Sequence, residues 1–426
     1  MTILRNAVPV IRPRGRRPMN GRDIHEPHRV STPLELLFDL FYVVAIAAAA
    51  SQLHHAVVEG HLGIGFVGFL RAFFAIWWAW MTFTWFASAY DTDDVHYRLA
   101  MMVQMVGVLI IAAGIPKGVS EGDFTIATIG YVVMRVAYVA MWFRVAREHP
   151  EGRTTALRYA WGTLFVQALW VGRLWLPHGW DLPSWLVLAL LEVAIPIYAA
   201  RAGRAPWHAH HIAERFGLFT IIVLGECVLG ATSSVGGVIA SQGLSVDVLL
   251  VGLGCASLVL ALWWVYFLVP SGERLHANRA RAFRWGYGHV VIFTSIAALG
   301  GFLEVVADQL RVAKAAAGHA AGTIAAVQGA HGVTPTLAIG LVVAAVSVFL
   351  ISTWWLFRLI APEYSHHWKA GLLALAILAG VVVAVAAGLP LPWAIPLLTL
   401  APATVVVAIE RGRIHGAGTP VPTAAP

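Results

Sequence analysis

The chain reads as a succession of long apolar runs separated by short polar breaks. A membrane-crossing helix needs about 20 mostly apolar residues. Roughly twelve runs approach that length: 32–56, 64–89, 99–116, 124–146, 156–176, 183–200, 212–232, 245–269, 284–306, 335–359, 369–388 and 391–410. The fifth carries Arg158 and Arg173 near its ends, and only Gly388-Leu389-Pro390-Leu391-Pro392 parts the last two. The long break at 307–333 is rich in Ala and Gly and reads as a partly helical, mobile loop. The pattern predicts an all-α polytopic membrane protein of about 12 transmembrane helices.

The runs also repeat. Leu37-Phe38-Asp39-Leu40-Phe41-Tyr42-Val43-Val44 resembles Arg215-Phe216-Gly217-Leu218-Phe219-Thr220-Ile221-Ile222. Ala75-Ile76-Trp77-Trp78 resembles Ala261-Leu262-Trp263-Trp264, and Trp142-Phe143-Arg144 resembles Trp354-Trp355-Leu356-Phe357-Arg358. Each pair lies six runs apart. Because that number is even, the implied halves are parallel and relate by an axis along the membrane normal. The expected organisation is a basic N-terminal segment (1–31), two six-helix halves (32–205 and 206–411) and a disordered Gly/Pro/Thr-rich tail (412–426).

Composition sharpens this picture. The chain is 59% hydrophobic and 12% charged, against about 45–50% and about 25% for a soluble domain. That excludes a soluble globular enzyme, a disordered chain and a disulfide scaffold. Its net charge of +7 is explained by topology rather than nucleic acid. With the N-terminus placed in the cytoplasm, inner segments hold 23 Lys and Arg and outer ones hold 4, as the positive-inside rule requires. Both termini are then expected to be cytoplasmic. The seven arginines before residue 30 have no apolar stretch among them, so no cleavable leader is expected and the first helix acts as its own signal. The expected partners are a lipid bilayer and a small ion or solute. Oligomeric state is not written in the sequence.

Several chemistries drop out. Cys227 and Cys255 lie in apolar runs and form neither a disulfide framework nor a metal-ligand spacing. Lys117, Lys314 and Lys369 lie near span ends, which argues against a retinal Schiff base. There is no Walker A loop, His-Glu-x-x-His or Gly-x-Ser-x-Gly. No cofactor, metal or catalytic residue is expected.

Ionisable groups inside a span cost several kcal/mol, of order 2.5–3.5 on insertion scales, so each needs a reason. Glu35 and Asp39 stand four apart on one face of the first helix. Thr32, Pro33 and Glu35 make a good helix start, but Asp39 lies roughly 10 Å deeper and reads as functional or as half of a buried pair. Glu214 and Arg215 fall at the boundary of the seventh span and read as interfacial. Glu226, about three turns deeper, has no cation near it in sequence. Arg135 and Glu192 are midplane charges, giving Arg135–Glu192 or Arg135–Glu226 as candidate pairs. His289 reads as a packed histidine. The Asp91-Thr92-Asp93-Asp94 cluster caps the third helix more readily than it cages a cation.

Thr32 to Leu40, the Asp91–Asp94 loop, Glu214-Arg-Phe-Gly-Leu-Phe219 with Leu224-Gly-Glu226, and Tyr287-Gly-His289 resemble the bacterial low-temperature-requirement protein A (LtrA) family, from about Arg29 to Arg411. The matching positions are Glu35, Phe38, Asp39, Asp91, Asp94, Glu214, Arg215, Gly217, Glu226 and His289. The resemblance implies a multi-pass protein of the bacterial plasma membrane whose loss impairs growth in the cold. It carries over no activity.

Unpaired mid-span acids favour a proton- or cation-linked transporter or channel, with Glu35, Asp39, Arg135, Glu192, Glu226 and His289 along a polar path. Two alternatives stand beside it. One is a membrane-embedded lipid-handling enzyme or factor at the cytoplasmic face, using Glu35, the Asp91–Asp94 cluster and Arg281/Arg284. The other is a structural protein in which every buried charge is paired.

Overall fold

Backbone polar groups in lipid find partners only within their own helix, so apolar runs of this length become helices. The computed structural model describes residues 16–26, 29–243, 245–318 and 332–416, and among these it is helical with no strand. The helices are α1 (Pro33–Val58), α2 (Leu62–Tyr90), α3 (Val95–Glu121), α4 (Thr125–Glu148), α5 (Arg153–Gly172), α6 (Asp181–Ala200) and α7 (Ala209–Gln242). They continue with α8 (Val246–Phe267), the short α9 (Ser271–Ala277), α10 (Ala282–Gly318), α11 (Pro335–Ile360), α12 (Trp368–Ala386), α13 (Leu391–Leu398) and α14 (Leu400–Gly416).

Among the described residues, 11 spans are long and apolar enough to cross a membrane, with α13 and α14 forming one of them. The less apolar α5, carrying Arg153, Arg158 and Gln167, is not among those spans and packs between α4 and α6. The last pass breaks at Thr399, between Pro396 and Pro402, which remove backbone donors. The Thr399 hydroxyl meets that of Ser257 at 2.9 Å.

Local chemistry sets the ends. Thr32 and Glu35 form a reciprocal capping box at the start of α1, with Pro33 in the first turn. Asp94 caps α3 by accepting from the Tyr97 N–H. That helix starts earlier than the apolar run, tolerates Pro116, and stops at Gly122, whose φ of 77° is left-handed. At the other end of the chain, α10 continues to Gly318, well into the expected loop 307–333; residues 319–331 lie outside the described residues. One expectation is corrected here. Positions 412–416, assigned to a disordered tail, are the last turn of α14, because the run from Thr404 to His415 contains no proline to end the helix. The remainder of the tail, 417–426, lies outside the described residues, as do 1–15.

Helices α1, α2, α7 and α10 pack on one another at the centre. Pairwise contacts run in parallel order through the chain. The first helix α1 packs on α2 and α3, as α7 packs on α8 and α10; α3 packs on α4 as α10 packs on α11; α4 packs on α5 as α11 packs on α12. The outward faces expose Leu36, Leu40 and Val44 on α1, and Leu249, Leu253 and Leu260 on α8. Apolar faces this extensive suit lipid and would aggregate in water. Two adjacent glycines seat the central helices. A Cβ on Gly300 would lie 2.7 Å from the Glu226 Cβ, and one on Gly301 would lie 2.6 Å from the Ala50 carbonyl oxygen. Both α7 and α1 therefore approach α10 at backbone distance.

The face at which α1 and α7 begin is proximal, and the opposite face distal. A strap from Arg16 to Asp23 lies across the proximal ends of α2, α3 and α4. The Arg17 N–H donates to Asp94 (3.1 Å), the Met19 N–H to Glu148 (2.7 Å) and the Arg22 N–H to the Ala89 carbonyl (3.0 Å), while the Met19 side chain is fully buried. Arg144 donates to Asp94 (2.5 Å) and Glu148 (3.1 Å).

Burial would raise the affinity of the Asp94 carboxyl for a proton. The Arg144 side chain and the Tyr97 and Arg17 N–H groups outweigh it and hold Asp94 well below the ordinary carboxylate range. The stabilisation is present above the unfolded-state value of about 3.9 and fades as pH falls from there toward the folded value. Asp94→Asn keeps the helix cap but loses the charge. Near pH 7 its stability should fall by about 1.5–3 kcal/mol, typical of hydrogen bonds to charged groups. The gap from wild type should shrink as the pH drops below about 4. Thermal unfolding in detergent across pH, with proteolysis of the strap as a second readout, checks this.

Candidate functional site

Two charge networks and one solitary carboxyl occupy the core. The first lies about 9 Å into α1 and α7, at 1.5 Å per residue, and toward the proximal face. Arg215 donates to both oxygens of Asp39, from Nη2 (2.5 Å) and Nε (3.1 Å), and its Nη1 lies 3.0 Å from Glu35. Trp80 Nε1–H donates to Asp39 (2.7 Å), and His211 Nε2 lies 3.2 Å from Glu35. All four ionisable residues, Glu35, Asp39, His211 and Arg215, are fully buried. Arg215 is therefore not interfacial, as its place beside Glu214 suggested. Helix α7 begins at Ala209, which draws Arg215 nearly two turns inside. Glu214, a neighbour on the next face, accepts from the Ser31 N–H at the proximal end.

The second network joins α2, α4, α5 and α6. Arg135 donates to the Thr82 hydroxyl (2.7 Å) and the Tyr131 hydroxyl (2.6 Å), lies against the faces of Tyr131 and Tyr138, and stands 3.6 Å from Glu192. Glu192 also accepts from Trp78 Nε1–H (2.9 Å) and Gln167 Nε2–H (2.8 Å). Of the two candidate partners for Arg135, the structure supplies Glu192. Between the networks stands Tyr42, fully buried, within electrostatic reach of Arg135, Asp39 and Arg215, its hydroxyl without a hydrogen-bond partner.

The solitary carboxyl is Glu226. It is 5% exposed, and one of its oxygens is buried without a hydrogen-bond partner. Its Cβ packs on Gly300, one turn from Glu304. The structure separates Glu226 from Arg135 and Asp39, and separates His289 from all three. His289 lies in a pocket of Phe216, Trp285 and Phe293, with Nδ1 2.8 Å from the Trp285 carbonyl oxygen and Nε2 2.9 Å from the Tyr266 hydroxyl. Phe38 and Gly217 serve the packing: Phe38 stacks near Phe83, and Gly217 accepts the Phe267 ring.

The acidic loop is occupied by arginines. Arg22 approaches Asp91 (3.8 Å), Arg98 pairs with Asp93 (2.8 Å) and Arg144 with Asp94. Among the described residues, no group of His, Cys, Asp and Glu is arranged to hold a metal ion.

Among the described residues, cavities flank the core, one of about 460 Å³ between α5 and α6. A polar cavity of about 500 Å³ opens at the distal ends of α1, α2 and α3, lined by Gln52, His55, Glu59, His61 and Ser120. An apolar cavity of about 280 Å³ lies at the proximal ends of α8, α11, α12 and α14, lined by Trp354, Phe357, His367, Trp368 and Leu372. A further feature escaped sequence reasoning altogether. His54 on α1 lies 2.7 Å from Asp308 and 3.5 Å from Glu304 on α10, and Arg311 also pairs with Asp308. The available signal was the Glu304, Asp308 spacing on one helix face.

The architecture and the placement of these motifs agree with a family comparison. The family model described as Bacterial low temperature requirement A protein (LtrA) matches residues 30–409. The chain belongs to the LtrA family. A protein of Rhizobium meliloti (strain 1021), described as uncharacterized protein RA0937, is similar to this LtrA chain at 27% identity over 291 residues, 62% of this chain and 67% of that one. No solved structure matches. The LtrA chain is thus a polytopic α-helical membrane protein, with its buried charges concentrated on the central helices and their neighbours.

Proposed function

We propose that this LtrA protein is a proton- or cation-linked transporter or channel of the bacterial plasma membrane, with both termini cytoplasmic. In this reading the proximal face is cytoplasmic, and the two six-helix halves, 32–205 and 206–411, are parallel repeats meeting along α1, α7 and α10. The matched order of helix contacts supports that organisation, as does the charge asymmetry, which is 22 to 4 once Arg215 is counted inside α7.

The observation that carries the reading is Glu226. Among the described residues, four carboxylates are buried within spans: Glu35, Asp39, Glu192 and Glu226. Three are matched by guanidinium, imidazole, indole or amide groups, and Glu226 is not. A carboxylate is costly to bury unless a proton or another cation joins it. The Arg215 network then closes the cytoplasmic side below it, and the polar cavity opens on the other side. Asp39, Glu35, Arg135 and Glu192 act in this reading as the pairs that part and re-form when access changes.

Reconstituted protein should move protons, Na⁺ or K⁺ into liposomes carrying trapped indicators. Glu226→Gln should abolish the movement without reducing the yield of folded protein. Wild-type liposomes indistinguishable from empty ones, for every ion tried, refute the reading.

One observation favours a second reading, lipid handling at the cytoplasmic face. The apolar cavity beside Trp354 and Trp368 has the size and lining for part of an acyl chain. A changed lipid profile in a deletion strain, with no flux in liposomes, selects that alternative.

A further inference from the structure

Distal to Glu226, groups that exchange protons cluster where α1 faces α10. His55 lines the distal cavity. The His54 ring lies beside it, with centroids 5.0 Å apart. His54 Nε2 is 2.7 Å from Asp308 and Nδ1 is 3.5 Å from Glu304, so both of its nitrogens face carboxylates of α10. Glu304 is one turn along α10 from Gly300, against which Glu226 packs. Gly301 seats α1 against the same stretch of α10, which brings His54 into the row.

The titratable groups on the helices packed around α7 are few. Helix α10 supplies Glu304 and, a turn beyond, Asp308 with its partner Arg311. Helix α1 supplies His54. Helix α8 carries no charged residue after Asp247, contributing Cys255 near Cys227. The one charged residue of α2, Arg71, is tied to Asp181.

Resting on the transport reading above, we propose that the coupling ion is the proton, and that it passes between the distal face and Glu226 through Asp308, His54 and Glu304, entering the ring at the nitrogen beside Asp308 and leaving from the nitrogen beside Glu304. An imidazole accepts a proton on one ring nitrogen and releases one from the other, which suits it to a relay. Each transfer moves a single proton. Glu226 gains one O–H bond, and no oxidant or reductant takes part. The contacts along the row fit proton exchange better than metal coordination, since no group of His, Cys, Asp and Glu among the described residues is arranged around a common centre.

The test uses the full chain in lipid vesicles with a trapped pH dye, driven by a valinomycin K⁺ potential. Infrared spectroscopy of the carboxyl C=O stretch follows protonation directly. Wild type should take up protons. Glu226→Gln should abolish uptake and remove one titrating carboxyl band. His54→Ala should slow uptake by about 10²-fold, the low end for a positioned proton-transfer group, and added imidazole should restore it. His54→Asn provides the same test if the alanine variant folds poorly.

Outcomes separate the relay from the transport reading. Glu226-dependent Na⁺ or K⁺ flux without proton flux keeps the transporter and overturns the proton. Full-speed uptake in both His54→Ala and His54→Asn overturns the relay. A Glu226 band that follows external pH, more slowly in His54→Ala, supports the proton path even if no net transport occurs; in that case the transport reading fails alone.

Discussion

Arg215→Leu should destabilise the protein by about 3–5 kcal/mol, the cost of breaking a buried pair by removing one partner, read as a large drop in thermal stability in detergent. The guanidinium holds two carboxylates at once, and both are fully buried. Its loss leaves Asp39 with Trp80 Nε1–H and Glu35 with His211 and the Thr32 N–H. Those groups cannot offset two negative charges in a low-dielectric interior. Adding Glu35→Gln and Asp39→Asn to Arg215→Leu should return much of the loss, because neutral amides are far cheaper to bury than unpaired carboxylates. The three positions share one network, so their effects should be strongly non-additive. If Arg215→Leu melts like wild type, the guanidinium is not what pays for burying these acids.

Replacing Glu192 should discriminate charge from shape in the second network. Glu192→Leu strands the Arg135 guanidinium among Thr82, Tyr131 and Tyr138 and leaves the Trp78 and Gln167 donors unanswered. A loss of about 3–5 kcal/mol is expected. Glu192→Gln keeps an acceptor in place, and Arg135 keeps two hydroxyl partners and two aromatic faces, so the loss should be about 1–3 kcal/mol. Thermal unfolding of the two variants side by side gives the ratio. Equal losses mean that the Arg135–Glu192 attraction contributes little beyond hydrogen bonding.

The helices were legible because the solvent is lipid: a span needs only length and apolarity, and both are written in the runs. The helix α5 was legible despite its arginines, from the apolar run between the breaks at 149–152 and 173–180. The Arg135–Glu192 pair was legible as one of two options, because opposite charges at similar depth attract. Arg215 was misplaced because depth depends on where α7 starts, and the apolar run begins only at Ile212, three residues after the helix does. The His54, Glu304 and Asp308 group was invisible for a different reason. It depends on which faces of α1 and α10 meet, and Gly300 and Gly301 decide that by letting backbones touch.

Among the buried span carboxyls of the described residues, Glu226 is the one without an ionic or hydrogen-bonding partner. A hydrophobic carbodiimide enters membranes and couples to carboxyls that are not locked in ion pairs, so mass spectrometry of the labelled protein reads this property residue by residue. The adduct should fall on Glu226 and spare Glu35, Asp39 and Glu192. Labelling of Asp39 or Glu192 with Glu226 untouched would contradict the account.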